Sequence, residues 1–437
     1  MRSNLITVVT TVASALLVAP VAVADAVQEQ LRLMEQRMAE MEDRLQATSD
    51  ELRSARATVE TQQGLLTDAG LIESEDKGLR SSVGSFFEMV DVDGVAAASY
   101  NYRFIDRGDN DGGNTGARND TYFTHPNGDA FQIDQLWITV DKTPTEESRG
   151  GFHADFVWGE TADSQVNGSG NNSDGTALDS GMIYTAYASW LAPIGNGVQI
   201  DAGRLATVLG AEVLKANANF NVTNGVVFQN LQPFTHAGVS FTTALNDSTT
   251  LVAGVVNNVY NDANFSVDRD KAGYAQLQFA GDSFGLNVGA IVGEDGAQNR
   301  CDASETDCNT SVVDVVASVS PTDAIEAWVN FDWVRYFGSD VKDGDKFGIA
   351  GAARVAVAEN TRLATRVEYL HENSVTRASN AQDDRSLVTV TGTLDQEVAE
   401  GVHIRGELRW DKELETDDFT SQDDDQLVGL LEMYYEF

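Results

Sequence analysis

Basic residues are scarce: 29 Lys and Arg stand against 68 Asp and Glu, a net charge of −39 at pH 7 over 437 residues. This balance excludes nucleic acid as a partner, because neutralising phosphates requires a basic face. It favours solubility and repels anions, and it also suits a salty habitat. Proline is scarce too, with 6 residues against 38 glycines. Many of those glycines sit inside alternating apolar runs, which suits tight turns and curved strands. Past residue 24 no run of 18 apolar residues exists, so no transmembrane helix is expected there and a membrane role falls to strands. Catalytic signatures are missing as well, with no Gly-x-Ser-x-Gly and no His-Glu-x-x-His. The histidines His125, His153, His236, His371 and His403 are scattered, so neither an enzyme nor a metal centre or cofactor is expected. Cysteine is limited to Cys301 and Cys308, separated by a polar stretch containing Asp302, Glu305 and Asp307. In an exported chain such a pair reads as a disulfide clipping a loop. Zinc is the weaker alternative, because no second Cys/His pair has metal-ligand spacing.

Export is indicated by the start of the chain. Arg2, an apolar run over 5–23 and the small-x-small exit at Ala22-Val23-Ala24 predict a signal peptide over 1–24. A retained anchor is the alternative. Residues 25–66 then carry a seven-residue apolar repeat. One column is Leu31, Met38, Leu45, Leu52, Val59 and Leu66; the other includes Val27, Met34 and Met41, with Thr48, Ala55 and Gln62 continuing it. Steps alternating three and four predict a coiled-coil seam on a helix reaching ~60 Å at about 1.5 Å per residue. Self-association, most simply a homotrimer, follows, with a dimer as alternative; a lone amphipathic helix is the other reading. Residues 67–83, with Gly70 and Gly78, read as a linker.

From 84 to 437 the period changes to two. Sixteen alternating runs begin near 94, 131, 152, 183, 197, 236, 249, 272, 284, 311, 323, 346, 361, 386, 402 and 427. The connection after each even-numbered run is short and the one after each odd-numbered run is mostly long and polar. A soluble sandwich has no reason to sort its loops by parity. A transmembrane barrel does, with short turns on the periplasmic side and long loops outside. An all-β antiparallel barrel of about 16 strands is expected, 14 or 18 also fitting the run boundaries, with both termini periplasmic.

The later runs separate two faces. Val402, Ile404, Leu408 and Trp410 oppose His403, Arg405, Glu407, Arg409 and Asp411. Arg362, Arg366 and Glu368 oppose Leu363, Val367 and Tyr369; Glu326 and Asp332 oppose Ile325, Val329 and Phe331; Asp155 opposes Phe152 and Phe156. Charge facing lipid costs roughly 2–4 kcal/mol for Arg at the midplane, so the charged face is assigned to the lumen. Arg354, Arg362, Arg366, Arg405, Arg409, His403, Glu407, Glu368, Glu326, Asp332, Asp155 and Asp201 are therefore the expected pore-lining or constriction residues. Opposed rows of fixed charge sort ions and orient dipolar solutes; alternatively the same groups are salt bridges stiffening the wall. Segment 206–235, mildly apolar and rich in Asn, either folds inward and narrows the channel or lies at the surface. Aromatic residues at run ends, Tyr100, Tyr102, Phe104, Trp333, Tyr336, Trp410, Tyr434, Tyr435 and Phe437, read as interfacial girdles. The acidic segment 412–426 and the run at Asp109 read as solvated rims with loose Ca²⁺ or Mg²⁺ bridging as a secondary role.

FQIDQLWI (131–138), GFHADF (151–156), YTAY (184–187) and DAGRLATVLGAE (201–212), followed by Asn217, Asn219, Phe228, Pro233 and HAG (236–238), resemble the OmpL-like β-barrel porins of Gram-negative bacteria. The resemblance spans most of 84–437 and not the helix. It implies an outer-membrane porin passing small hydrophilic solutes, in contact with lipid and lipopolysaccharide. A terminal Phe437 likewise resembles the signal read by the outer-membrane insertion machinery. The competing readings are a structural tether, whose helix contacts peptidoglycan or a periplasmic partner, and a plugged barrel acting as adhesin or enzyme.

Overall fold

In a computed structural model of the chain, the described residues are 89–105, 129–162, 183–260, 271–294, 309–337, 344–373, 384–415 and 425–437. The signal peptide, the heptad columns, the linker, the Cys301/Cys308 pair and the acidic runs at 109 and 423 lie outside them. Sixteen strands form: β1 Asp91–Ile105, β2 Phe131–Lys142, β3 Gly150–Trp158, β4 Ile183–Ala192, β5 Val198–Ala206, β6 Thr235–Asn246, β7 Thr249–Val256 and β8 Ala272–Ala280. Then come β9 Phe284–Glu294, β10 Asn309–Thr322, β11 Ile325–Phe337, β12 Gly344–Ala358, β13 Thr361–Asn373, β14 Asp384–Ala399, β15 Val402–Glu415 and β16 Asp425–Glu436. Each pairs antiparallel with its sequence neighbours, and β16 returns to β1 to close the barrel. Every predicted run is a strand, with boundaries shifted by a few residues. Connections after even strands are mostly the short ones, such as 247–248 and 323–324, the link 143–149 after β2 being the exception at one residue longer than 338–343 after β11, and both β1 and β16 have their free ends at that rim.

Closure removes every sheet edge. The final contact is tight: Gly94 N–H donates to Phe437 O at 2.9 Å and Phe437 N–H to Gly94 O at 3.1 Å. A Cβ at Gly94 would stand 2.5 Å from the Phe437 ring, so only glycine lets that ring lie across β1.

The pleat fixes the faces. Ile133, Leu408, Leu431, Met433, Val367 and Phe437 point outward and are exposed, a continuous apolar band that water would not tolerate and lipid would. No helix among the described residues is long and apolar enough to cross a membrane; the strands do so. The alternate positions point inward and are buried and largely polar. Two aromatics assigned to the girdle belong to this inner face: Tyr336 and Tyr434 are 1% and 4% exposed. Period two puts each one residue out of phase with its outward neighbours.

Candidate functional site

Between β5 and β6 the chain does not stay at the rim. Residues 207–234 enter the barrel, make a 3-10 turn at Ala216–Ala218 and the one-and-a-half-turn helix α1, Val226–Leu231, and leave again. Of the two readings of 206–235, the structure has the inward one. The segment is apolar enough to find partners inside. Leu209, Val226, Val227 and Leu231 are buried in a cluster with Ile291, Val312, Val334 and Leu370 of the far wall. A Cβ at Gly348 on β12 would come within 2.7 Å of Val227, so the wall is hollowed where α1 lies.

Much of the polar half of the seat is made by β13 to β16, through residues singled out from the sequence, with Gln135 on β2 and Asn330 on β11 adding bonds to Ala216 N–H and Ala211 N–H. Arg366 is fully buried; its Nη1 donates to Glu212 Oε1 and to Thr223 O of the segment, both at 2.6 Å, and its Nε to Glu368 Oε2 at 3.0 Å. Glu368 uses its other oxygen to accept from Val227 N–H at 3.2 Å, and Glu212 accepts from Gly225 N–H at 2.8 Å. These carboxylates satisfy N–H groups at the start of α1 that have no partner within the helix. Glu407 accepts from Val222 N–H (2.6 Å), Thr223 N–H (3.1 Å) and Thr223 Oγ1 (2.6 Å). Arg409 donates Nη1 to Asn224 O at 2.8 Å and Nε to Asp411 Oδ1 at 2.8 Å. Arg405 donates Nε to Glu432 at 2.6 Å and Nη1 to the carbonyls of Ala216 and Asn219 at 3.3 and 3.4 Å. At Gly225 a Cβ would sit 2.2 Å from Glu368 Oε1, so this close approach needs glycine.

Arg366, Arg405 and Arg409 thus stand on the inward face as expected, yet they do not line open water. Each is at most 1% exposed and is spent on carboxylates and segment carbonyls. The wall-stiffening alternative describes them better than a free charged row, with the addition that they hold a segment and not only each other. Asp332 is also buried: it accepts from Gln232 of the segment at 3.0 Å and lies opposite Asp314 in register. Asp155 accepts from Trp137, Thr139 and Thr185 at 2.7–2.9 Å and is bonded to His153. Asp201 accepts from Ser189 at 2.6 Å. His403 bonds Asp395 at 2.8 Å and stacks on Tyr434 at 4.6 Å.

Three predicted positions differ. Arg354 and Glu326 pair near the short-turn rim with half-buried side chains, and Arg362, on the inward face at that rim, is exposed and makes no hydrogen bond or ion pair with another described residue. The sequence reading missed Glu212, Thr223, Gly225 and Glu432. No group of three or more His, Cys, Asp or Glu that could hold a metal ion assembles among the described residues.

A closed sixteen-strand barrel with an apolar belt, a polar interior and a segment folded through it defines a multi-pass outer-membrane porin. The chain belongs to the family described as "Putative beta-barrel porin-2, OmpL-like", whose model matches residues 89–437. No curated protein matches the chain in sequence. Among solved structures, the outer-membrane channel DcaP of Acinetobacter baumannii is similar in fold, with a TM-score of 0.53 at 15% identity over 80% of this chain and 97% of that one. The outer-membrane protein OmpT of Vibrio cholerae gives 0.52 at 12% identity over 80% and 97%. An anion-selective porin from Comamonas acidovorans gives 0.50 at 9% over 80% and 99%. At these identities the likeness is one of fold.

Proposed function

We propose that the barrel is a passive diffusion channel for small hydrophilic solutes or ions, with residues 207–234 as its constriction. The observation that carries this reading is the inward segment anchored to the wall by hydrogen bonds and ion pairs; in this reading it narrows the lumen. Beside it stand polar, part-exposed inward groups such as His153, Gln199, Asn287, Glu326, Arg354 and Arg362. Such groups keep a lumen wet, and a barrel of this strand number has room for water. In this reading the short-turn rim faces the periplasm and residues 25–66 form a trimeric coiled coil there after removal of 1–24. Cys301–Cys308 clips an external loop, and the acidic loops gather Ca²⁺ or Mg²⁺ loosely. Planar-bilayer recording of the purified protein tests the central claim. Stepwise ohmic conductance is expected; a protein that inserts and stays silent in molar salt refutes it.

A further inference from the structure

Near the short-turn rim, four strands bring one row of inward positions into register. Gly285 on β9 faces Ser318 on β10, Ser318 faces Trp328 on β11, and one step nearer the rim Glu326 faces Arg354 on β12. Phe220 of the inner segment descends onto this row. Its ring lies 6.5 Å from that of Trp328, tilted by 43°, and carries the Arg354 guanidinium 4.4 Å from its centroid. Phe220, Trp328, Glu326, Ser318 and Gly285 border a cavity of ≈ 340 Å³, at the small end of the range for small-molecule sites; Arg354 stands next to it through its contacts with Phe220 and Glu326. Gly285 leaves it open: a Cβ there would stand 2.6 Å from Ser318 Oγ.

The hydrogen-bonding capacity around the cavity is unspent. Arg354 directs both Nε (2.8 Å) and Nη2 (2.6 Å) to the same oxygen, Glu326 Oε2. Glu326 Oε1, Arg354 Nη1, Trp328 Nε1 and Ser318 Oγ have no partner among the described residues. Two aromatic faces beside a neutralised acid–base pair define the ligand chemistry. An apolar solute would strip water from Glu326 and Arg354 and return no hydrogen bonds. A phosphate or dicarboxylate would meet a guanidinium already compensated by Glu326 and be repelled by its carboxylate. A neutral polyhydroxylated ring satisfies both halves, with C–H faces against the rings and hydroxyls donating to Glu326 Oε1 and accepting from Trp328 Nε1 and Ser318 Oγ.

We infer that this cavity is a saccharide-binding subsite, taking one neutral sugar ring at a time as solute passes the constriction. The inference rests on the channel reading and names its substrate class. It is tested on the full-length protein in planar bilayers titrated with sucrose, against a polyethylene glycol of the same hydrodynamic size and against succinate. Sucrose is expected to lower conductance saturably in the millimolar range, while the polymer lowers it only in proportion to concentration. Trp328→Ala and Glu326→Gln should each raise the half-saturating sucrose concentration by roughly tenfold or more. Trp328→Phe, which keeps a ring, should raise it less. Sucrose indistinguishable from the polymer, saturation by succinate in its place, or unchanged half-saturation in Glu326→Gln would each overturn the subsite. A parallel titration follows tryptophan fluorescence in detergent-folded protein. If no conductance appears but sucrose shifts the fluorescence saturably in wild type and not in Glu326→Gln, the channel reading fails and the subsite stands. If conductance appears with no saturable sucrose effect, the subsite fails and the channel stands.

Discussion

Arg366 shows how much one residue holds. Its guanidinium is fully enclosed and joins Glu368 of its own strand to Glu212 and Thr223 of the inner segment. Removing one partner of a buried ion pair strands the others' charge, at a cost of about 3–5 kcal/mol. Arg366→Met should therefore unseat the segment, raising single-channel conductance and lowering the temperature at which the folded band converts on heated gels. Wild-type values of both would refute the anchoring role. Gly225→Ala, which drives a methyl against Glu368, should act in the same direction with a smaller effect. The partners that Arg366 grips were not readable in advance. Arg366 and Glu212 are 154 positions apart, Thr223 and Glu407 are 184, and no periodicity links them. The row of inward arginines was legible because charge shuns lipid; what each arginine grips was not, because the partner lies in a segment without a repeat. The Asn-rich, mildly apolar composition of 206–235 was compatible with both an inward and a surface course.

At the scale of the element, the strands were legible almost completely. Lipid outside and polar packing inside impose two environments on each, and period two records them residue by residue. Loop parity then ordered the strands without any long-range signal. The same rule corrects Tyr336 and Tyr434, whose position in the pleat overrides their closeness to run ends. The closing strand is the element most exposed to a single change. Its last residue exchanges two backbone bonds with Gly94 and lays its ring over that glycine. Phe437→Asp places a charge on the outward face at this joint and should reduce the amount of protein recovered folded in outer membranes several-fold. Channels that do assemble should conduct as wild type does. Equal recovery would show that the seam tolerates a charge and that no assembly signal resides there.

For the whole molecule, the net charge of −39 meets a lumen whose buried arginines are already compensated by Glu212, Glu368, Asp411 and Glu432. Little positive potential is left to draw anions, so reversal potentials in a salt gradient should show cation preference; an anion-selective reversal would contradict this balance. Deleting residues 27–66 should leave the barrel conducting and shift its mass in detergent from trimer to monomer, which light scattering would report. An unchanged mass would assign association to the barrel wall instead. The seat of the inner segment also carries a temporal consequence. The segment lies between the fifth and sixth strands, yet its buried arginine and glutamate partners on the wall stand on the thirteenth and fifteenth, and Glu436 of the sixteenth accepts from Asn217. A chain assembled from its beginning finds its first fastenings for the segment on β1 and β2, at Asp93, Gln135 and Thr139, long before those later partners exist. Until the last strands arrive, 207–234 has an unfinished berth, and the final pairing of β16 with β1 brings those anchors into place. Sealing the wall and setting the gauge of the passage are then one event, so a population of barrels that have closed but not narrowed should be short-lived.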